Sequence, residues 1–293
     1  MKLSGALTAL VTPFRDGRVD EKAYREFVEW QIQSGIDGLV PCGTTGESAT
    51  MSHAEHKQVI AICVEQAKGR VPVLAGAGSN STSEAIELTR YAKEAGADAA
   101  LHITPYYNKP TQEGLVAHFK AIAEAVPFPT VLYNVPGRTG INMLPKTVAR
   151  AFKEVPDIIG IKEATGDLRQ VSEVVEYCGP EFTVLSGDDF TVLPLLACGG
   201  HGVISVSSNL EPGKMSELCR AFREKNLERA LKLHLELAPL NRAMFMEANP
   251  IPAKTALSLM GRMGPELRLP LVPMGEKNLE TLKGVLKGAG LQA

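Results

Sequence analysis

Apolar residues in this chain gather into short, nearly continuous runs, separated by longer stretches where polar and apolar positions alternate at helical spacing. The runs are ALTALVT (6–12), GLVPCG (38–43), VPVLAGA (71–77), AALHITP (99–105), TVLYNVP (130–136), IIGIKEA (158–164), FTVLSGD (182–188) and GVISVSS (202–208). A strand with one wet face alternates apolar with polar. A strand covered on both faces is apolar throughout, as in parallel sheets packed between helices. Ser52-His-Ala-Glu55 and Ser81-Thr-Ser-Glu84 both fit the capping box that opens a helix, and Asp20 is placed to cap the segment carrying Phe27, Trp30 and Gln31.

SGIDGLV, AGADAAL and CGGHGVI repeat one pattern: a glycine closes a helix, a short polar turn follows, and a strand begins. Eight strand–helix units of roughly thirty residues predict a (β/α)8 TIM barrel, a fold of typically about 250 residues. A doubly wound α/β sheet is the rival, and it usually needs fewer strands. Past residue 225 the strand pattern stops, and ERALKLHLELAPLNRAMFM, IPAKTALSLMG and EKNLETLKGVLKG read as helices. The expected organisation is a catalytic barrel over 1–224 and a C-terminal helical region over 225–293, suited to packing or oligomerisation.

Composition narrows the partners. The 293 residues are 44% hydrophobic and 22% charged with a net charge of −2, and no basic block stands out. A nucleic-acid or anionic-membrane partner is therefore not expected. No apolar stretch approaches the ~20 residues of a membrane span, and the N-terminal apolar run breaks at Pro13 without a cleavage pattern. The five cysteines (42, 63, 178, 198, 219) form no CxxC pair and sit in mostly apolar or helical contexts, so they read as free thiols of a reducing, cytoplasmic compartment. Cys42 adjoins a glycine-rich turn, where a reactive thiol is one reading; no histidine partner lies close in sequence.

In a barrel the chemistry sits at the C-terminal ends of the strands. That rule selects Gly43-Thr44-Thr45-Gly46-Glu47-Ser48, Tyr106-Tyr107-Asn108, Tyr133 to Gly140, Lys162-Glu163, Gly187-Asp188-Asp189 and Ser205 to Asn209. Lys162 stands out because it follows Ile158, Ile159, Gly160 and Ile161 inside a buried strand. Desolvation disfavours an ammonium, which is how amine nucleophiles are made. The plainer reading pairs it with Glu163 or a nearby aspartate, but strand alternation puts 162 and 163 on opposite faces. The Gly43–Glu47 turn exposes amides and two hydroxyls that suit a carboxylate, or it is a simple strand-to-helix turn. Tyr133 is an acid/base candidate or a buried structural tyrosine. Arg138 is placed to fork onto a substrate carboxylate or lies on the surface. His53 and His56 share a helix face, but no third ligand follows and the pattern is not HExxH. Gly76-Ala77-Gly78-Ser79-Asn80 lacks the third glycine of a dinucleotide loop, so no such cofactor is expected.

GTTGES (43–48), YNVPGRTG (133–140), GIKEATGD (160–167) and GVISVSSN (202–209), together and in this order, resemble the dihydrodipicolinate synthase family. That family lies within the pyruvate-dependent class I aldolase superfamily, which also holds N-acetylneuraminate lyase. The resemblance spans essentially the whole chain. It implies that Lys162 condenses with the pyruvate carbonyl, that Tyr133 moves protons, and that Thr44 links Tyr133 to Tyr107 in a hydroxyl relay. The residue matching Tyr107 is lent by a neighbouring subunit in this family, which implies a homo-oligomer, at least a dimer and usually a tetramer. Thr45 is implied to hold the pyruvate carboxylate and Arg138 that of L-aspartate 4-semialdehyde, with the backbone of Gly187 and Ile204 lining the site. No metal or organic cofactor is implied. The second threonine of GTTGES and Arg138 favour the synthase over the lyases, which have Ser-Thr in the first loop and lack the arginine. Ser48, Ala49, His53, His56, Asn80, Glu84 and Tyr106 match the residues that bind L-lysine in feedback-inhibited members. A sugar-acid aldolase or dehydratase and a catalytically silent barrel are the alternatives; the intact Lys162, Tyr133, Thr44 and Arg138 set argues against silence.

Overall fold

Each of the apolar runs overlaps a strand. In the computed structural model, which describes residues 3–292, the strands are β1 (Gly5–Ala9), β2 (Phe14–Arg15), β3 (Arg18–Val19), β4 (Gly38–Val40), β5 (Leu74–Gly76), β6 (Ala99–Ile103), β7 (Thr130–Asn134), β8 (Ile158–Glu163), β9 (Thr183–Ser186) and β10 (Gly202–Ser205). The antiparallel β2–β3 hairpin is an addition to the expected set. Its turn residues Asp16 and Gly17 have φ of 52° and 73°, the positive pair that a two-residue hairpin requires and that Asp-Gly supplies. The other eight strands follow the order β4-β1-β10-β9-β8-β7-β6-β5, and Leu39 of β4 bridges in parallel to Val73, just ahead of β5. Each strand thus neighbours the next one in the chain and the two ends of the order meet. This is the expected (β/α)8 barrel.

The chain divides into two compact units. One comprises Leu74–Ile204 with the residues up to Gly5; the other comprises Ala6–Val73 with the residues from Ser205 onward. In the first unit, Leu132 of β7, Ile161 of β8 and Val184 of β9 pack with Leu115 and Phe119 of the helix Gln112–Ala125, Val148 of Pro145–Glu154, and Val171 and Val174 of Leu168–Cys178. Burying each aliphatic side chain contributes roughly 1.5–3 kcal/mol. Strand alternation then sends Tyr133 and Lys162 to the opposite face from Leu132 and Ile161. The capping box expected at Ser81 is not formed: the Ser81 side chain makes no capping bond. Glu84 instead accepts from the Ser79 hydroxyl, and the Ser81 hydroxyl pairs with that of Ser83 at 3.1 Å.

In the second unit, Ser52 and Glu55 form the expected reciprocal capping box on the helix His53–Ala67, and the Asp20 carboxylate caps Glu21–Gln33 through Ala23 N at 3.1 Å. Gln31 is fully buried and joins the layers, accepting from Thr8 Oγ1 at 2.7 Å and donating to the Ser208 and Asn209 carbonyls at 3.1 and 3.2 Å. Beyond residue 225 the described elements are the helices Leu227–Ala243, Ile251–Leu259 and Glu276–Gly288. No helix among the described residues is long and apolar enough to cross a membrane.

Candidate active site

The first unit brings Lys162 and Tyr133 together. They are register partners on the parallel strands β7 and β8, and Lys162 Nζ lies 4.1 Å from the centroid of the Tyr133 ring. Both are nearly buried, at 7% and 6% exposure, so the amine meets an aromatic face and little water. Glu163 turns the other way. Its Oε2 accepts from Asn134 Nδ2 and Gln170 Nε2, both at 3.1 Å, and its Oε1 accepts from Thr165 N at 2.9 Å. Burial pushes this carboxyl above the usual range, while the donors from Asn134, Thr165 and Gln170 pull it back. The Lys162–Glu163 ion pair that the sequence left open is not made.

Gly187 closes the third side. A Cβ there would stand 2.5 Å from Ala164 Cβ, 3.1 Å from Lys162 Cε and 3.2 Å from Lys162 Cγ, so only glycine leaves the lysine stem its place. Ile204 is buried in β10, which pairs with β9 through Gly202–Leu185 and Val203–Ser186. Arg138 is exposed on the short helix Pro136–Thr139, which begins directly after β7. Its neighbour Thr139 is anchored, with Oγ1 donating to the Ile141 carbonyl at 3.0 Å. Tyr107 is 90% exposed and has φ of 69°, so in this chain it reaches away from the packed interior.

In the second unit, Thr44, Thr45 and Gly46 form a 3-10 turn ended by Glu47 at φ 56°. Thr45 is buried and its Oγ1 accepts from Asn249 Nδ2 at 2.9 Å. Thr12 Oγ1 donates to the Gly46 carbonyl at 2.8 Å. Glu47 is paired with Lys254 at 2.6 Å, with side-chain exposures of 1% and 0%, and also accepts from Arg268 N at 3.1 Å. Burial pushes the Lys254 ammonium down, and the charge and hydrogen bond of Glu47 resist that shift. Arg268 holds Glu55 through both guanidinium arms, at 2.9 and 2.5 Å. Asn249, Lys254 and Arg268 were not among the expected site residues. Only Lys254 left a sequence signal, a lysine within the apolar helix IPAKTALSL.

The residues matched to the effector site fall in both units. In the first, Asn80 Nδ2 donates to the Tyr106 carbonyl at 3.2 Å, and Glu84 is the acceptor for Ser79. The Tyr106 hydroxyl is pushed up by burial and by the Glu84 charge. In the second, Ser48 and Ala49 lie in the turn Ser48–Thr50, while His53 and His56 lie in the first turns of the next helix, His56 buried and His53 exposed. Cys42 is buried, its Sγ donating to the His56 carbonyl at 3.5 Å. Burial pushes that thiol well above its ordinary value, which disfavours the reactive-thiol reading.

A profile of the Dihydrodipicolinate synthetase family matches residues 2–289. The 4-hydroxy-tetrahydrodipicolinate synthase of Nitratidesulfovibrio vulgaris (strain DSM 19637 / Miyazaki F) is 68% identical over 291 residues, covering 99% of this chain and 100% of its own. Among solved structures, the chloride-inhibited dihydrodipicolinate synthase of Acinetobacter baumannii complexed with pyruvate superposes with a TM-score of 0.96 at 48% identity, over 99% of this chain and 100% of that one. The enzyme of Cyanidioschyzon merolae with lysine bound superposes with a TM-score of 0.95 at 41% identity, over 98% of each chain. The chain belongs to the dihydrodipicolinate synthetase family.

Proposed function

We propose that this chain is a 4-hydroxy-tetrahydrodipicolinate synthase, condensing pyruvate with L-aspartate 4-semialdehyde through a Schiff base on Lys162. The pairing of Lys162 Nζ with the Tyr133 ring at 4.1 Å, away from Glu163, is the observation that carries the reading. Relatives carry the same name, one of them at 68% identity, and the Acinetobacter structure holds pyruvate.

The steps follow from the groups present. Lys162 Nζ adds to the keto carbon of pyruvate, and water leaves to give the imine. The imine draws electrons from the methyl carbon, which loses a proton and becomes an enamine nucleophile. That carbon attacks the aldehyde of the second substrate, and the resulting alkoxide takes a proton. The substrate's own amine then adds to the imine carbon, expels Lys162 and closes the ring. Tyr133 carries protons at these steps, relayed through Thr44 and a Tyr107 supplied by a second copy of the chain; the 90% exposure of Tyr107 supports donation to a neighbour. Thr45 takes the pyruvate carboxylate, Arg138 that of the aldehyde substrate, and the backbones of Gly187 and Ile204 line the site. The scheme calls for no metal or organic cofactor.

L-Lysine acts as the feedback effector, held by Ser48, Ala49, His53, His56, Asn80, Glu84 and Tyr106. The Asn80–Tyr106 bond and the adjoining Tyr107 support a short path from effector to relay. Catalysis belongs to residues 1–224 and assembly, as a dimer or tetramer, to 225–293. The five free cysteines support a cytoplasmic setting. Borohydride reduction in the presence of pyruvate tests the central step: a pyruvate-derived mass is expected on the peptide holding Lys162. Labelling of another peptide, or of none, overturns it.

A further inference from the structure

We infer that Asn249, from the helical C-terminal region, is the positioning residue that sets the Thr45 hydroxyl for the carboxylate of the keto acid; this rests on Thr45 binding that carboxylate. A threonine hydroxyl has one hydrogen to give and two lone pairs to receive with. Asn249 Nδ2, 2.9 Å away, occupies one lone pair. The hydroxyl hydrogen is thereby turned away from Asn249 and left for an incoming acceptor. A carboxylate oxygen is the acceptor such a donor holds best, since a charged acceptor makes the stronger bond.

Burial makes the arrangement consequential. Thr45 is 3% and Asn249 7% exposed, so water is a poor substitute for either partner. The surroundings keep the two in register over a sequence separation of 204 residues. Lys254, five positions beyond Asn249, is locked to Glu47, two positions beyond Thr45, in a fully buried ion pair. The Arg268 amide takes the other Glu47 oxygen, and the Arg268 side chain donates to the Thr50 carbonyl at 3.2 Å. Three residues of the C-terminal region thus hold the Thr44–Thr50 segment, and the one at Thr45 holds the atom that meets substrate. The region therefore does more than assemble subunits. It tunes the affinity for the keto acid.

The test is steady-state kinetics on the full-length enzyme, with each substrate varied at saturating concentrations of the other. Asn249→Ala is expected to raise the pyruvate KM about tenfold, equivalent to about 1.4 kcal/mol. Its kcat and its KM for L-aspartate 4-semialdehyde should stay within about twofold, the split that marks lost ground-state binding. Asn249→Asp keeps the shape but replaces the donor with an acceptor that captures the Thr45 hydrogen, so its pyruvate KM should rise further. Thr45→Val is measured beside them, and Asn249→Ala should add nothing on that background. An unchanged pyruvate KM in Thr45→Val overturns the assignment of Thr45 itself. A raised KM in Thr45→Val with a normal one in Asn249→Asp overturns the inference alone. If Asn249→Ala fails to fold, the isosteric Asn249→Asp decides by the same readout.

Discussion

Tyr133 and Lys162 are register partners on adjacent parallel strands, and the lysine amine rests 4.1 Å from the tyrosine ring centroid. The ladder between β7 and β8 therefore holds the proposed nucleophile and the proposed proton carrier on rigid backbone, where a loop would let either drift. Removing only the phenolic oxygen tests the division of labour. Tyr133→Phe keeps the ring against Lys162 but not the acid/base group, and kcat is expected to fall by about 10²–10⁴-fold. Borohydride trapping of pyruvate should still label Lys162, and Lys162→Ala should abolish both label and turnover. A Tyr133→Phe enzyme with normal kcat would remove tyrosine from the proton path.

Gly187 provides a steric test of the same geometry. An added methyl would lie 2.5 Å from Ala164 Cβ and 3.1 Å from Lys162 Cε. Neither distance is tolerable without movement, and the lysine stem is the softer of the two neighbours. Gly187→Ala is therefore expected to push Lys162 aside by at least a few tenths of an ångström and to lower kcat, by up to about 10²-fold if the shift approaches ~1 Å. Its melting temperature, read by circular dichroism, should drop by only a few degrees. Wild-type kcat in this variant would show that Lys162 does not work from the position seen here.

The strands were legible in the sequence because burial on both faces leaves continuous apolar runs, and IIGIKEA became β8 with Lys162 and Glu163 on opposite faces as alternation requires. The β2–β3 hairpin is not legible in the sequence because strands of two residues carry no periodicity; its Asp16-Gly17 turn is the available sign. Asn249, and the partner of Lys254, are illegible for another reason. Thr45 and Glu47 lie more than 200 residues from Asn249 and Lys254, and pairing over that distance leaves no local pattern. Lys254 also bounds the rule that singled out Lys162. A lysine among apolar neighbours needs a reason, and at 254 the reason is an ion pair with Glu47.

Two histidines give the fold a pH dependence that can be signed. Burial, assisted at His102 by the nearby His118, pushes His102 down to about 3, and burial pushes His118 down to about 4. Unfolded histidines titrate near 6.5. Between that pH and the folded values, the unfolded chain binds more protons than the folded one. The stabilisation is complete above pH ~6.5 and is lost as pH falls toward the folded values, at about 1.4 kcal/mol per pH unit for each histidine. Glu163, raised by burial, acts in the opposite sense, so the informative quantity is a difference between proteins. Urea unfolding from pH 5 to 7 is expected to show a shallower acid loss in His102→Asn than in the parent. Parallel profiles would show that His102 does not titrate in this manner.

The buried pair of Lys254 and Glu47 separates stability from affinity. Each charge is costly in the interior, and the two are tolerable only together. Lys254→Met leaves Glu47 buried with the Arg268 amide as its remaining donor, and a loss of about 3–5 kcal/mol in unfolding free energy is expected. Glu47→Gln alone leaves the lysine without its counter-charge; burial already pushes that ammonium down and the opposing pull of Glu47 is gone, so the neutral amine is favoured further and the cost is expected to be smaller. Combining the two substitutions removes both charges and should recover most of the stability lost in Lys254→Met, a coupling of several kcal/mol in a double-mutant cycle. Additive effects would mean that the pair contributes no mutual interaction. The recovered double variant then separates two roles of the C-terminal region. If the ion pair only supports the fold, its pyruvate KM should match the parent's, because Asn249 still holds Thr45; if the pair also sets the Thr44–Thr50 segment, that KM should remain raised after stability has returned.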